Sequence, residues 1–117
     1  MILGSALHSA AVSFVTGRIR EKQGRWEEMC GFYEQAMQQD ANHADAAFRL
    51  ACYMDLRGED QKAGELYKKV TGNGPAFVSA LINLGLLLED QDQMEGAINC
   101  IKEALRVEPT NRRASLY

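Results

Sequence analysis

The sequence predicts an all-helical fold made of one helix-turn-helix unit that repeats every 34 residues. When the sequence is shifted against itself by that spacing, the aligned residues keep their chemical type. Within each unit apolar residues recur at helical spacing, as in Ala47, Leu50, Ala51 and Met54. No segment of useful length alternates with the period of two that a strand requires. We therefore expect stacked helical hairpins and no sheet.

When the repeats are aligned, three columns of equivalent residues show why the two helices of a unit pack against each other. A small residue midway along the first helix lets the second helix cross closely, and a bulky residue on the second helix fills the space beside it. A glycine permits the tight turn between the two helices. These columns are Gly17, Ala51 and Gly85; Tyr33, Tyr67 and Ile101; and Gly24 and Gly58. Asp92 stands where the third turn glycine is expected, so we expect that turn to be costlier or differently shaped.

The units follow one another as residues 10–43, 44–77 and 78–111, and a short further helix starts within 112–117. Segments with turn-forming residues end the second helix of each unit, and Pro75 recurs as Pro109. At this length one core is possible, so we expect a single domain over residues 1–117. Its helices should number about seven, with the last one cut short.

Composition and charge exclude several classes of function. The chain is 46% hydrophobic and 25% charged, as in ordinary globular domains. Its net charge of -3 is spread evenly, so no basic stripe is available and we expect no direct nucleic-acid contact. No run of about 20 apolar residues is present, and the apolar start lacks the basic region of a signal peptide. We therefore expect no membrane contact, and the separated cysteines favour a reduced, cytoplasmic setting.

The repeat columns resemble the tetratricopeptide repeat (TPR), a 34-residue helix-turn-helix family. Residues 44–77 and 78–111 resemble good copies, whereas residues 10–43 resemble a degenerate one, with Thr16 in place of leucine and Ala41 in place of proline. The resemblance implies a right-handed superhelix of three antiparallel hairpins plus a truncated C-terminal helix. It also implies a non-catalytic scaffold that binds a peptide or helix of a partner protein.

A narrower resemblance concerns the stretches FRLACYMDLRGED, ALINLGLLLEDQDQ and VEPTNRRASLY. They resemble the repeat tail fused to the α subunit of RNA polymerase in some bacteria. This resemblance implies a fragment of a larger subunit that serves interactions in a transcription complex, and it is an alternative to a general scaffold.

In the family the first helix of each unit faces a concave groove, so the resemblance implies a set of candidate partner contacts on those helices. They are Phe14, Arg18 and Lys22; Asp45, Phe48, Cys52 and Asp55; and Ser79, Ile82, Asn83, Leu86 and Glu89. The face is apolar in its middle and charged at its rim. For Phe14, Ile82 and Leu86, burial against neighbouring helices is the competing interpretation.

The charges on this face predict the chemistry of a ligand. Asp55 and Glu89 favour a lysine or arginine beside an apolar anchor, and Phe48 is expected to supply most of the affinity. Arg18 and Lys22 favour an acidic residue at the other end of the ligand.

Relatives that hold C-terminal carboxylates place lysine, arginine and asparagine on their first helices. This sequence matches that pattern only at Asn83, with Arg49 nearby, and puts apolar residues where polar clamp residues are wanted. We therefore expect no dicarboxylate clamp.

Catalysis requires a nucleophile with a base, a set of metal ligands or a glycine-rich phosphate loop, and none is visible in the sequence. We expect no catalytic residue, no metal and no cofactor. Trp26 and Met29 are expected to lock the two helices of the first unit together.

Self-association is the structural alternative. A terminal repeat normally needs a polar capping helix, and only the start of one follows residue 111. We expect Leu87, Ile98 and Leu105 to be partly uncovered, which favours a homodimer through this end or docking of further chain.

Overall fold

In a computed structural model, the chain is entirely α-helical between its turns over the residues that the structure describes, which are 2–72 and 74–116, with side chains from residue 8 onward. The described residues do not include Met1, Asn73 or Tyr117. Both ends of the predicted domain therefore lie outside them. The helices are α1 (Ile2–Lys22), α2 (Trp26–Gln39), α3 (Ala44–Leu56), α4 (Asp60–Lys69), α5 (Pro75–Asp90), α6 (Met94–Val107) and α7 (Arg112–Ser115). The predicted all-helical fold with a short last helix is confirmed.

Consecutive helices pair as hairpins, α1 with α2, α3 with α4, and α5 with α6. The turns of the first two hairpins contain Gly24 and Gly58, whose left-handed backbones have φ angles of 72° and 78°. At the third turn Asp92 adopts the same region, with φ of 59°. An L-residue with a side chain is disfavoured there, although aspartate tolerates it better than most. The free-energy cost expected at the third turn is therefore that of a left-handed backbone at Asp92.

The small-residue column works as the sequence predicts. A methyl group built on Gly17 would lie 2.6 Å from Cε1 of Tyr33. A methyl group on Gly85 would lie 3.2 Å from Cδ1 of Ile101. Glycine at these two positions therefore lets the second helix of each hairpin approach the first.

The hairpins stack through three clusters of buried side chains. The first joins the first two hairpins through Met29, Tyr33, Ala36, Ala46 and Leu50. The second joins the last two hairpins through Ala47, Ala51, Ala63, Tyr67, Val70, Ala80, Leu84 and Leu87. The third lies between α5, α6 and α7 and contains Val78, Ile82, Ala104 and Ala114. Removal of these apolar surfaces from water, at about 25 cal/mol per Å², is what holds the stack together.

The C-terminal end is partly closed by α7. The Asn111 side chain accepts a hydrogen bond from the Ala114 N–H at 2.9 Å and so caps the helix. Leu87 is buried in the second cluster, so the expectation that it is uncovered was wrong: α5 turns this side chain towards α4. Ile98 is half-exposed and Leu105 half-buried, as expected for an incompletely covered end. Within the described residues no helix is both long and apolar enough to cross a membrane.

Candidate functional site

An open groove of about 470 Å³ lies along the first helices of the hairpins, and we call it the α3 groove. Its walls are the end of α1, the start of α2, one face of α3 and the start of α5. The lining is mostly apolar with three charged side chains: Glu21, Trp26, Met29, Asp45, Phe48, Arg49, Cys52, Tyr53, Leu56, Pro75, Ala76 and Ser79.

The sequence of α3 explains why this helix faces the groove. Asp45, Phe48, Cys52 and Leu56 are spaced three or four residues apart, so they lie on one side of the helix. The opposite side is buried and contains Ala46, Ala47, Leu50 and Ala51. The helix starts at a fixed point because Nδ1 of His43 accepts a hydrogen bond from the Ala46 N–H at 3.2 Å.

Some of the predicted partner contacts come together in the α3 groove, namely Asp45, Phe48, Cys52 and Ser79. Phe48 is half-buried, and its ring packs at a tilt on Tyr67 with 6.3 Å between centroids. Asp45 is exposed in the first turn of α3, where the helix dipole favours an acid.

Two predicted contacts belong to the interior instead. Ile82 is 1% exposed and packs with Ala114 in the third cluster, so it cannot touch a partner in this fold. Phe14 is half-buried between the first two hairpins, with its ring centroid 5.7 Å from Tyr33 and 4.8 Å from His43. The structure favours the competing interpretation of burial, because Ile82 packs with α7, and Phe14 packs beside His43 and Arg49 of the second hairpin.

Asp55 and Asn83 are engaged in a polar cluster inside the stack. The Tyr67 hydroxyl donates to Oδ2 of Asp55 at 2.9 Å, and Nδ2 of Asn83 donates to Oη of Tyr67 at 3.5 Å. Arg113 donates to Oδ1 of Asn83 at 2.7 Å. Burial is the main cause that raises the pKa of Tyr67 above its usual range, so its hydroxyl stays a donor. Both side chains are thus already hydrogen-bonded in the stack: Asp55 links α3 to α4, and Asn83 links α5 to α4 and α7. Their role as ligand contacts stays a prediction.

The remaining predicted contacts lie outside the α3 groove. Arg18 and Lys22 are exposed near the end of α1. Leu86 and Glu89 line a separate groove of about 380 Å³ between α5 and α6, which we call the end groove. Its lining residues are Gly85, Leu86, Glu89, Met94, Ala97, Ile98, Ile101, Lys102 and Leu105. The predicted single face is thus two surfaces.

Several groove residues escaped the sequence prediction. Trp26 does not lock α1 to α2; it is half-exposed and stacks on Tyr53 of the next hairpin, with 5.8 Å between centroids and an interplanar angle of 19°. Leu56, which is 88% exposed, extends the same apolar wall. The sequence prediction considered only the first helix of each unit. In the structure the start of α2, a second helix, lies beside the end of α3. The exposed aromatic beside a turn was the signal that could have found Trp26.

The charged residues of the groove differ in their surroundings. Glu21 accepts a hydrogen bond from the Tyr33 hydroxyl at 2.6 Å and lies 3.4 Å from Nη1 of Arg49. This carboxylate is therefore already paired within the stack. Asp45 takes part in none of the ion pairs found among the described residues. The groove consequently has a negative charge at its Asp45 end that a ligand can use.

Metal ligands and thiols are the remaining groups to consider in this structure. No group of three or more His, Cys, Asp or Glu side chains among the described residues could hold a metal ion. Burial raises the pKa of the thiols of Cys30, Cys52 and Cys100, which keeps them protonated and weakly nucleophilic at neutral pH.

Comparison with protein families agrees with this architecture. Models of the tetratricopeptide repeat match residues 16–45 and residues 78–111. The chain belongs to the tetratricopeptide repeat family. The two matches cover most of the first hairpin and the third, and the α3–α4 hairpin lies between them as the middle repeat of the TPR stack. The family and fold predicted from the repeat columns are confirmed.

Curated relatives of this TPR chain include the photosystem I assembly protein Ycf3 from two strains of Prochlorococcus marinus. Each is 28% identical over 98 residues, which is 80% of this chain and 56% of the relative. The chain therefore spans about half the length of the curated relatives it matches. These matches give no support to the narrower resemblance to an RNA polymerase α tail.

Solved structures of TPR proteins share the fold. The Arabidopsis OM64 TPR domain matches with a TM-score of 0.77 at 20% identity, over 95% of this chain and 92% of that one. MamA matches with a TM-score of 0.75 at 26% identity, over 93% and 62% of the two chains. The first TPR of Spaghetti (RPAP3), bound to the HSP90 peptide SRMEEVD, matches with a TM-score of 0.78 at 19% identity, over 94% and 87%.

Proposed function

We propose that this TPR chain is a non-catalytic scaffold whose α3 groove binds a segment of a partner protein with an apolar anchor next to a lysine or arginine. One observation carries the proposal: an apolar groove crosses all three hairpins and has at its edge a carboxylate, Asp45, that forms no ion pair with any described residue. The peptide-bound TPR of Spaghetti supports the scaffold role, because that protein holds its ligand on the same fold.

The apolar anchor is expected to lie against the aromatic part of the wall. Trp26 and Tyr53 stack on each other and present a rigid surface, and Phe48 continues it towards α5. Aromatic side chains that are already fixed by packing lose little conformational entropy when a ligand binds. Most of the binding affinity should therefore come from the contact between the anchor and these rings.

The charge of the groove favours a basic neighbour. Arg49, the cation of the groove, is paired with Glu21, whereas Asp45 is exposed and has no such partner among the described residues. Asn83, which a carboxylate clamp would use, already bonds Tyr67 and Arg113. An acidic peptide such as the SRMEEVD bound by Spaghetti therefore meets repulsion here instead of a clamp.

The setting we propose is the cytoplasm, because three free thiols fit a reducing compartment. The name of the Prochlorococcus relatives, photosystem I assembly protein, supports a role in bringing proteins together. Only that general role is carried over to this chain. The even charge distribution supports a protein ligand and not a nucleic acid.

An array of short peptides tests the charge preference. The peptides share one aromatic anchor and differ in its neighbour, which is lysine, glutamate or alanine. We expect the wild-type chain to bind the lysine peptides best and Asp45→Lys to reverse the order between lysine and glutamate. Asp60→Lys is the matched control, because Asp60 is an exposed acid in the first turn of α4 and lies outside the α3 groove. An unchanged order in Asp45→Lys contradicts the proposal.

A second pair of variants tests the apolar wall. Phe48→Ala removes an aromatic contact but also touches the second cluster, so its effect can mix binding with stability. Leu56→Ser changes a side chain that is 88% exposed, and the fold should not depend on it. We expect both variants to weaken binding of the lysine peptides, with Leu56→Ser unfolding at the wild-type denaturant concentration. Wild-type affinity in both removes the α3 groove as the binding site.

A further inference from the structure

Inside the stack, each first helix docks on the preceding hairpin through one apolar stripe. On α5 this stripe is Ala80, Leu84 and Leu87, all buried. A methyl group built on Gly64 of α4 would lie 3.9 Å from Leu84 and 3.6 Å from Leu87, so these leucines cover that point of the hairpin. The C-terminal half of α5 therefore lies over the N-terminal half of α4.

α1 carries the same stripe, and none of the described residues covers it. Residues 68 positions before the α5 stripe, two repeats earlier, are Val12, Thr16 and Ile19. Val12 is 54% exposed and Ile19 is 47% exposed. The Thr16 hydroxyl donates to the Val12 carbonyl at 2.7 Å, which leaves no polar group of this side chain in need of a partner. We call these residues the α1 stripe.

The end groove is the matching acceptor surface at the other end of the stack. Ala97, Ile98 and Ile101 stand one repeat after Ala63, Gly64 and Tyr67, which α5 covers in the middle of the molecule. At the end groove this surface is open, with Met94 52% and Ile98 53% exposed.

Side-chain size favours a match between the two free surfaces. In the internal interface the small Gly64 lies beneath the large Leu84. At the free ends both positions change in opposite directions, since Ile98 replaces the glycine and Thr16 replaces the leucine. A large residue in the groove would therefore face a smaller one on the stripe, which conserves the volume of the contact.

Charge favours the same pairing. If α1 lies in the end groove as α5 lies on α4, its C-terminal half falls over the start of α6. Exposed acids surround that place, at Glu89, Asp90, Asp92 and Glu95. The end of α1 bears the exposed cations Arg18 and Lys22. The two surfaces are therefore electrostatically complementary, which raises the association rate and disfavours other orientations.

We propose that the α1 stripe of one copy docks in the end groove of a second copy, so that the stack continues from chain to chain. The two surfaces differ, so the contact is heterologous and each docked copy leaves a further stripe and groove free. The result is an open head-to-tail row, not a closed dimer. This contact is separate from the α3 groove and goes beyond the proposed peptide binding.

Docking along the whole end groove requires α7 to leave. Ala114 of α7 stands 34 residues after Ala80, so it occupies the place that Val12 of the second copy would take. The helix is short and is held by the Asn111 cap and by the bond from Arg113 to Asn83. α7 therefore competes with the second copy and weakens the association without abolishing it.

Sedimentation velocity over a concentration series tests the proposal with two single variants. Ile19→Asp places a charge on the stripe and Ile98→Asp places one in the groove, both at exposed positions. We expect each to weaken self-association by about tenfold or more, because an uncompensated carboxylate would be buried. Leu56→Asp is the matched control, since it adds the same charge at an exposed leucine outside both surfaces, and it should associate as the wild type does.

A mixture of the two variants decides the geometry. Ile19→Asp keeps a good groove and Ile98→Asp keeps a good stripe, so we expect the mixture to form a one-to-one complex that grows no further. A symmetric dimer through two end grooves would be unaffected by Ile19→Asp and would give no mixed complex, which overturns the proposal. A wild-type chain that stays monomeric up to about 1 mM overturns it as well.

The role of α7 has its own variant. Asn111→Ala removes the cap of α7 and leaves both docking surfaces intact. We expect severalfold tighter self-association than in the wild type, and weaker association contradicts the competition. Peptide binding in the α3 groove is measured on Ile19→Asp, Ile98→Asp and Asn111→Ala, whose sites lie outside that groove, and it should not change. A failure of one proposal is therefore distinguishable from a failure of the other.

Discussion

The first and third hairpins share one backbone frame but use its equivalent positions differently. In the first hairpin Tyr33 lies over Gly17 and donates a hydrogen bond to Glu21. In the third hairpin the equivalent bulky residue is Ile101, whose side chain has no hydrogen-bond donor. Glu89, the equivalent of Glu21, stays exposed at the rim of the end groove.

The difference shows how one repeat produces both closed and open surfaces. The 34-residue spacing determines where a carboxylate stands relative to the second helix. The residue on that second helix then determines whether the carboxylate is hydrogen-bonded inside the stack, as with Glu21, or stays exposed, as with Glu89. A tyrosine at this position of the repeat bonds the acid of its own hairpin, whereas an isoleucine leaves an apolar groove with a charged rim.

The largest expected difference between the two hairpins concerns the close helix crossing. Gly17→Ala places a methyl group against the rigid, buried ring of Tyr33, so we expect unfolding to become easier by about 2 kcal/mol. Gly85→Ala meets the flexible end of Ile101, and the gain in helix propensity offsets most of that contact. We expect a change within about 0.5 kcal/mol there. Urea unfolding of both variants measures the difference, and equal losses would mean that the two crossings are equally tight.

The fold was predictable because its determinants are local and repeated. Gly17, Tyr33 and Gly24 each have a definite place in a hairpin. Residues of the same kind stand at the same places one repeat later, namely Ala51, Tyr67 and Gly58. The sequence also singled out Asp92 as the residue where the third turn would be costlier or differently shaped, and its backbone there is left-handed like that of the two turn glycines.

The candidate site was predictable only in part, because burial depends on neighbours in space. Helical spacing predicts that Asp45 and Phe48 share one face of α3, and both line the α3 groove. It could not show that α7 covers Ile82 or that Tyr67 engages Asp55, since both contacts join residues far apart in the chain. Trp26 was misplaced because its stacking partner belongs to the next hairpin.

The tyrosine hydroxyl gives a smaller difference in stability between the first and third hairpins. Tyr33→Phe leaves Glu21 with Arg49 alone, and we expect a loss of about 1 kcal/mol near neutral pH. Burial and the bond to Glu21 raise the folded-state pKa of Tyr33 above the ordinary value of 10.0. The stability from this tyrosine is therefore present below that pH and is lost as the pH rises above it.

Urea unfolding of Tyr33→Phe at neutral and alkaline pH measures this dependence. The deficit of the variant should shrink above the ordinary tyrosine pKa of 10.0, because the wild type then loses stability that the variant never had. Glu89→Gln is the control from the third hairpin, where the equivalent hydroxyl is missing, and it should behave as the wild type. A deficit that stays constant with pH would show that the ring environment, and not the proton, accounts for the loss.

The third comparison concerns the turns, where Asp92→Gly has the smallest single effect expected. No atom outside the chain neighbours lies within 4 Å of a side chain built on Gly24, so Gly24→Ala adds only the cost of a left-handed backbone, about 1 kcal/mol. Asp92→Gly relieves the same cost in the third hairpin, but the unfolded chain gains freedom, so we expect stabilisation of about 0.5 kcal/mol. Thermal unfolding should move in opposite directions for the two variants. If Asp92→Gly is instead destabilising, the aspartate side chain contributes a local contact to its turn that outweighs the backbone cost, and the third hairpin closes by a different balance of forces from the first.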